Sequence, residues 1–439
     1  MNPSPVSVAH QLASLFSTTA DLLALQTGFV QRRSKLGGSE MAKTLVFGWL
    51  NNPDATLEEL AQGAIDLGVT ISPQGLDQRF GPRAVTFLER LLHEAVLCVV
   101  AADPVAIPLL QRFPGGVCLL DSTSLTLPAV FTHRWRGCGV PEGKKGAGMS
   151  AQVRLNLVDG TLNGPFLRAG YIDDRVPQRQ MPPLPAGALR LADMGFFSTD
   201  ALKELDAQGI FWISRIKVKS RLRDASGRVW SPAEFLAKQT ADTIDVPIQL
   251  RRERSLPCRF IAMRASSEVV AIRYKRLRRH IRRRGKVHPD CWILAKWTFY
   301  ITNIPAEQLT LEEALVLARC RWQIELLFKL WKSEGHIDRS RSRQPWRILC
   351  EIYAKLLGMV VQHWILLVGC WSHPNRSLIK ASRTVRRRVW PLALVLPQRH
   401  LVYAILMNLQ RCLKTGCRIS RRRRAPPTHQ LLLGLLKAG

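Results

Sequence analysis

Arg321-Trp322-Gln323-Ile324-Glu325-Leu326-Leu327-Phe328-Lys329-Leu330-Trp331-Lys332 sets one carboxylate between cations at fixed spacing. At about 100° per residue in a helix, Arg321, Glu325 and Lys332 fall within an arc of roughly 40°. A carboxylate able to hold a metal, flanked by two cations able to hold phosphates, suits chemistry on a nucleic-acid backbone. Taken alone, the same stretch also reads as an i,i+4 Arg–Glu pair that stabilises an exposed helix. The remainder of the chain has to decide between the two.

Charge is the first discriminator. The 439 residues carry 64 Lys and Arg against 33 Asp and Glu, a net of +31. A chain this basic needs a polyanionic partner or binds one non-specifically. The charge is unevenly spread: residues 1–120 hold 8 basic and 10 acidic side chains, a net of −2, so the rest carries +33. Ten scattered cysteines form no C-x-x-C pair and no zinc-spaced Cys/His cluster, which predicts reduced, mostly buried thiols in a cytosolic protein. The start, MNPSPVSVAHQ, lacks the features of a signal peptide. The most apolar segment, Leu356 to Trp371, is 16 residues long and contains Gln362 and His363. It is short for a membrane span and predicts a buried helix, with no membrane partner.

The length allows several domains. Residues 1–110 read as helical, and Thr56 followed by Glu59 is a capping box. A turn near Gly68 and a helix start at Ser72-Pro73 resemble a helix-turn-helix, whose second helix would enter a major groove. An ordinary helical hairpin fits equally, because the local charge is not basic. Residues 111–215 alternate strands and helix: an apolar run at Gly116–Leu120, strands at Ser150–Val158, Phe166–Ile172 and Ala188–Ala192, a helix over Ser198–Gln208 and a strand over Gly209–Arg215. Residues 216–300 are polar, β-leaning and basic, and nine of fourteen residues from Arg273 to Lys286 are Arg or Lys. A basic hairpin or arm is the simplest reading, with Arg276, Arg279 and Arg283 among its phosphate contacts; a charged loop is the alternative. Residues 301–345 return to a core-like pattern that includes the Glu325 helix, and 346–439 read as helices ending in a basic tail, Arg418–Arg424. No internal repeat is present. The sum is an α/β or α+β core.

Three carboxylates stand out. Asp121 follows the apolar run Val117–Leu120, Asp193 follows Leu191-Ala192, and Glu325 lies on the late helix. An acid at the C-terminal end of a strand sits at the rim of the sheet, where sites form in open α/β folds. Three carboxylates sharing a site repel one another unless cations intervene, and Mg²⁺ with its preference for oxygen ligands resolves the conflict. Each has a plainer role as well. Asp121 could cap a turn through Ser122 and Thr123, and Asp193-Met194-Gly195 could be a turn.

In these residues the chain resembles a DDE transposase of bacterial insertion sequences, insertion-sequence family four. Asp121-Ser122-Thr123 with Leu127-Pro128 matches the family's first catalytic segment, and Asp193-x-Gly195-Phe196 the second. Of the third signature, Tyr-x2-Arg-x3-Glu-x6-Lys, Arg321, Glu325 and Lys332 match in register, and the tyrosine position is Ala318. The spacing of 132 residues between Asp193 and Glu325 fits a core interrupted by a β-rich insertion. The resemblance implies an RNase H-like catalytic core, with an N-terminal helical DNA-binding domain and C-terminal helices. It implies two Mg²⁺ ions, replaceable by Mn²⁺, held by Asp121, Asp193 and Glu325. Arg321 and Lys332 would grip phosphates, and Ala318 removes one such contact. Trp297 and Trp322 resemble tryptophans that hold a flipped base and wedge the stack, although core packing is the ordinary fate of a tryptophan. The implied partners are double-stranded DNA, both transposon ends and target, and a second copy in a synaptic homodimer, joined through helices such as Ile348–Trp371. The implied location is the bacterial cytoplasm, at the nucleoid. A catalytically inactive DNA-binding remnant and a structure-specific nuclease on the same core are the competing readings.

Overall fold

The computed structural model describes residues 5–32, 36–174, 181–250, 255–373, 375–419 and 428–434. Its contacts divide into two units. The first combines Met1–Ala106, Asp121–Pro182 and Gln323–His429; the second combines Ile107–Leu120, Pro183–Trp322 and Gln430–Gly439.

The first unit begins with helices α1 (Pro5–Ser14), α2 (Ala20–Gln26), α3 (Gly38–Asn51), α4 (Leu57–Asp66), α5 (Pro73–Asp77) and α6 (Pro82–Leu97). The expected capping box forms at α4: the Thr56 amide donates to Glu59 at 2.7 Å, and the Glu59 amide donates to Thr56 Oγ1 at 3.2 Å. Such caps satisfy amides that have no partner within the helix. Ser72 caps α5 by accepting from the Gly75 amide at 3.0 Å. That second helix has five residues, little more than one turn.

The apolar segment near residue 356 lies inside α14 (Pro345–Cys370), capped by the Gln344 side chain with Pro345 in its first turn. It is long and apolar enough to cross a membrane, yet its whole apolar window is buried within the protein. Every residue from Leu349 to Cys370 is buried. Around it pack α3, α6, α15 (Leu378–Arg386) and α17 (Arg399–Thr415), while α16 (Trp390–Val395) joins α3 and α17. This corrects the expectation that residues 348–371 form a dimer surface, because the helix is already covered on all sides by its own chain. Its buried polar groups are satisfied, as burial demands. Lys355 pairs with Glu351 at 2.7 Å, and Ser382 donates to Gln362 at 2.9 Å. His363 Nε2 lies 2.7 Å from the Gly160 carbonyl and must donate to it, since a carbonyl only accepts.

Strand β1 (Val117–Leu127) runs through both units, its residues 121–127 belonging to the first. There it continues to β2 (Ala147–Asn156) and β3 (Leu162–Ala169), in the order β3-β2-β1. In the second unit the order is β1-β4-β5-β10-β9-β8-β6-β7, with β4 (Leu189–Ala192), β5 (Phe211–Ser214), β6 (Leu222–Arg223), β7 (Val229–Trp230), β8 (Thr243–Leu250), β9 (Leu256–Arg264) and β10 (Trp297–Thr302). The β1–β4 and β4–β5 pairings are parallel, and those from β5 through β10, β9, β8 and β6 to β7 are antiparallel. The α+β class therefore holds. Parallel strands need a long crossover, and α8 (Thr199–Ala207), capped by Ser198, lies in the one from β4 to β5. Short helices α7 (Pro108–Gln111), α9 (Pro232–Ala237) and α11 (Asp290–Leu294), and the longer α12 (Leu311–Cys320), also belong to this unit. The apolar core of the inserted region joins Trp212, Phe235, Phe260, Trp297 and Ile301.

The basic stretch is not a hairpin but an 18-residue helix, α10 (Ser267–Arg284). Arg and Lys are good helix formers. Ser266 caps the start, Glu268 sits in the first turn, and Gly285 at φ +79° ends the helix in a conformation glycine tolerates.

Burial lowers the His363 pKa from 6.5 to about 4, partly opposed by its hydrogen bond to Gly160. The unfolded chain then binds a proton below about 6.5 that the native chain refuses until about 4. Stability present above that window falls as pH drops through it, by up to about 3 kcal/mol for this group. Urea unfolding of wild type and His363→Gln at pH 7 and pH 5 reads the effect: the variant should lose less stability between the two.

Candidate active site

In the second unit, parallel pairing aligns Val117 with Leu189, Cys118 with Arg190, Leu119 with Leu191 and Leu120 with Ala192. Leu120 and Ala192 are each followed in the chain by an aspartate, Asp121 and Asp193. Asp193 leaves β4 in extended conformation (ψ 166°) and opens a 3₁₀ turn over Met194–Phe196, with the Phe196 amide donating to its carbonyl at 3.0 Å. Asp193 is half-buried, as a carboxylate at a strand end should be if it is to meet a ligand.

Asp121 belongs to the first unit and does not end its strand, contrary to the expectation from its place after the apolar run. It is the fifth residue of β1, which runs on to Leu127. From Thr123 the burial alternates strictly, so this portion is a half-buried strand and not a turn. The Asp121 Oδ1 accepts from the Ser122 amide at 2.8 Å, and Ser122 Oγ donates to Asp174 Oδ1 at 2.9 Å. Arg168, nearly buried on β3, donates to the Asp174 carboxylate and, at 2.8 Å, to the Asp173 carbonyl. Burial holds its guanidinium below the ordinary value, with Asp173 opposing. This Ser122–Asp174–Arg168 chain fixes the backbone beside Asp121. Sequence reading missed it, although a charged residue inside a strand followed by Asp173-Asp174 was visible as an unusual signal.

Glu325 also lies in the first unit, in the first turn of α13 (Trp322–Ser333), where the helix dipole favours an anion. Ile324, Leu327, Phe328, Leu330 and Trp331 bury the opposite side of the helix. Lys332, seven residues on and on the same face as Glu325, donates Nζ to the Ser124 carbonyl at 3.1 Å. That bond ties α13 to β1 three residues past Asp121. An ammonium has three donors, so the contact still leaves capacity for an anion. The far end of α13 is pinned as well: Arg383 donates to Glu334 at 2.7 and 3.0 Å, and Arg386 to the Glu334 carbonyl at 3.1 Å. A Cβ at Gly335 would lie 2.7 Å from the Trp331 carbonyl and 2.5 Å from Met359 Sδ, so the chain leaves the helix where only glycine fits.

Arg321 is not on the same continuous helix as Glu325. It is the C-cap of α12, in the second unit, at a break before Trp322. Its backbone stays in the right-handed region (φ −51°, ψ −29°), so the chain turns there without unwinding. Trp322 is 54 % exposed and thus is not a core residue. Trp297 is the opposite case: it is 3 % exposed within the apolar cluster, with the Arg264 guanidinium 4.4 Å from its ring centroid. Its ring is enclosed on this face, which corrects the expectation of a ring held ready for a base. Arg276, Arg279 and Arg283 are exposed along α10.

The carboxylate oxygens of Asp121, Asp193 and Glu325 are hard donors of the type Mg²⁺ takes. Among the described residues no three His, Cys, Asp or Glu side chains are gathered as a metal cluster. Burial pushes the Cys258, Cys320 and Cys370 thiols up to about 12, so these cysteines are inert packing groups.

Comparison with known proteins adds a family. The model for the Transposase DDE domain matches residues 112–360, which include Asp121, Asp193 and Glu325. The chain is 25 % identical over 423 residues to the transposase for insertion sequence element IS231F of Bacillus thuringiensis subsp. israelensis, covering 90 % of this chain and 86 % of that protein. It is 24 % identical over 380 residues to the transposase for insertion sequence element IS1151 of Clostridium perfringens, covering 79 % and 77 %. Over 183 residues, 39 % of this chain and 50 % of the other, it is 29 % identical to the putative transposase InsL for insertion sequence element IS186A of Escherichia coli strain K12.

Proposed function

We propose, for a chain that belongs to the transposase DDE domain family, that it cuts and joins DNA at the ends of its own insertion sequence. Divalent metal is a general requirement of the family. The observation that carries the site assignment is the register of β1 on β4, in which paired residues Leu120 and Ala192 each precede an aspartate. Asp121, Asp193 and Glu325 would hold Mg²⁺, with Mn²⁺ able to replace it. When bound, two such ions activate the attacking oxygen and stabilise the leaving one in phosphodiester transfer.

The chain's own residues have distinct parts in this reading. Ser122, Asp174 and Arg168 orient Asp121. Lys332 and Arg321 hold backbone phosphates, the first as a point charge and the second through its planar fork. Trp322, exposed beside Arg321, offers a face for an unstacked base; base–aromatic stacking contributes about 1–3 kcal/mol. Trp297 is left out of this role because its ring is enclosed. The N-terminal helices would recognise the terminal inverted repeat, and a second copy would complete the synaptic complex, in the bacterial cytoplasm.

Helix α10 supplies sequence-independent affinity. Lys275, Arg276, Arg278, Arg279, Arg282 and Arg283 are exposed, whereas Val270, Arg273, Tyr274, Leu277 and Ile281 are half-buried. At about 100° per residue these are opposite faces of one helix. The half-buried face is anchored: Arg273 donates to the Ala295 and Trp297 carbonyls at 3.1 and 2.6 Å, and Tyr274 to the Trp292 carbonyl at 3.3 Å. A rigid helix whose exposed side carries these six cations suits a DNA backbone.

Two measurements test this. A gel assay with Mg²⁺ on labelled DNA carrying the element's end should show nicking at the boundary and strand-transfer products for wild type, and neither for Glu325→Ala. Cleavage unchanged in the variant would place the chemistry elsewhere. Replacing Arg276, Arg279 and Arg283 together by Ala should flatten the plot of log affinity against log salt by about 2–3, near 0.9 for each phosphate no longer neutralised. An unchanged slope would remove α10 from the interface.

A further inference from the structure

Ala318 stands where the family signature has a tyrosine, and the second unit places another phenol, Tyr300, at the same pocket. A small pocket there is lined by Leu191, Ala192, Ile213, Arg215, Tyr300, Ala318 and Arg321. Ala192 is the residue immediately before Asp193, so the pocket borders the end of the strand that carries a candidate carboxylate. Ala318 and Arg321 are one helical turn apart, which sets a side chain at 318 beside the guanidinium.

Tyr300 reaches the same pocket from a strand. On β10, Trp297 and Ile301 are buried in the apolar cluster and Phe299 packs against it. Side chains alternate along a strand, so Tyr300 leaves by the opposite face. Its ring is half-buried and lies under Arg215, whose guanidinium is 5.8 Å from the ring centroid. No hydrogen bond is made by the Tyr300 hydroxyl among the described residues, and no described carboxylate pairs with Arg215. Arg273 lies close enough that Arg215 helps depress its ionisation, after the larger effect of burial, while Tyr300 opposes. Arg215 lies over the Tyr300 ring and Arg321 lines the same pocket, and two guanidinium groups beside a phenol are complementary to an anion. Ala318 and Tyr300 line the same small pocket.

We propose that Tyr300 is a DNA-binding residue, supplying from β10 the phosphate-directed hydroxyl that Ala318 lacks, next to Arg321. The proposal rests on the reading of the chain as a transposase with Arg321 at the DNA backbone. It predicts that the signature tyrosine has been exchanged in space between a helix and a strand, so that the grip is intact.

The test uses the full chain without metal and labelled duplexes carrying the element's end, each with one phosphate neutralised as a methylphosphonate. Wild type should have one position near the strand break where neutralisation weakens binding about tenfold, the worth of a hydrogen bond to a charged group. In Tyr300→Phe the penalty at that position should shrink at least threefold, with an unchanged melting temperature. Tyr300→Ala combined with Ala318→Tyr, which moves the phenol to the signature position, should restore it. Identical penalties for wild type and Tyr300→Phe at every position would overturn the proposal, as would a wild type with no sensitive position. Because binding is read without metal, a protein that couples Tyr300 to one phosphate yet never cleaves with Mg²⁺ would sink the transposase reading and leave Tyr300 in place.

Discussion

The parallel ladder that fixes β1 against β4 is the constraint on which the candidate site rests. Parallel pairs cannot be made by a tight turn, so this register is held by side-chain burial and not by a local loop. Val117, Leu119, Leu189 and Leu191 are all essentially inaccessible to solvent. Cys118, between Val117 and Leu119, is buried as well, so this part of β1 is enclosed on both faces and packing on each side specifies its pairing. The same register decides which residue of each strand comes next after the ladder, and on both strands it is an aspartate. A packing requirement in the core thereby decides which residue each strand presents after the ladder.

The third carboxylate is fixed by a different device. Helix α13 buries an apolar face that includes Ile324, Leu327 and Trp331, and both its ends are tethered. Lys332 bonds the β1 carbonyl at Ser124, while Glu334 sits between Arg383 and Arg386. Rigid placement of this kind is what an electrostatic site requires, since donors and charges must not reorganise during reaction. The unit is in turn built on α14, whose burial from Leu349 to Cys370 makes it the interior post of the helical layer.

Much of this was legible in the sequence because it rests on local rules. Caps at Thr56, Ser72 and Ser198 follow from side-chain oxygens meeting unpaired amides, and β4, β5 and α8 follow from apolar period. What the sequence concealed was decided by tertiary packing. Asp121 looks terminal because the apolar run stops at Leu120, yet the strand continues with one face exposed. Nine cations in fourteen residues hide a helix, since its anchoring depends on Arg273 and Tyr274 reaching distant carbonyls. Trp297 and Trp322 differ in nothing a sequence shows, but one is enclosed by its sheet and the other opens a helix at the surface. The stand-in at Tyr300 is invisible for the same reason: Ala318 is read as a loss until the strand that passes it is known.

If Asp121, Asp193 and Glu325 hold metal together, a redox-active ion bound there should report all three at once. Iron-mediated backbone cleavage is the most direct probe, with Fe²⁺ in place of Mg²⁺ on the DNA-bound protein and peroxide and ascorbate to generate local radicals. Cuts are expected to cluster at three places, near residues 121, 193 and 325, all suppressed by excess Mg²⁺ and by Glu325→Ala. Cuts at only one of these segments, or a pattern indifferent to Glu325, would contradict a shared metal site.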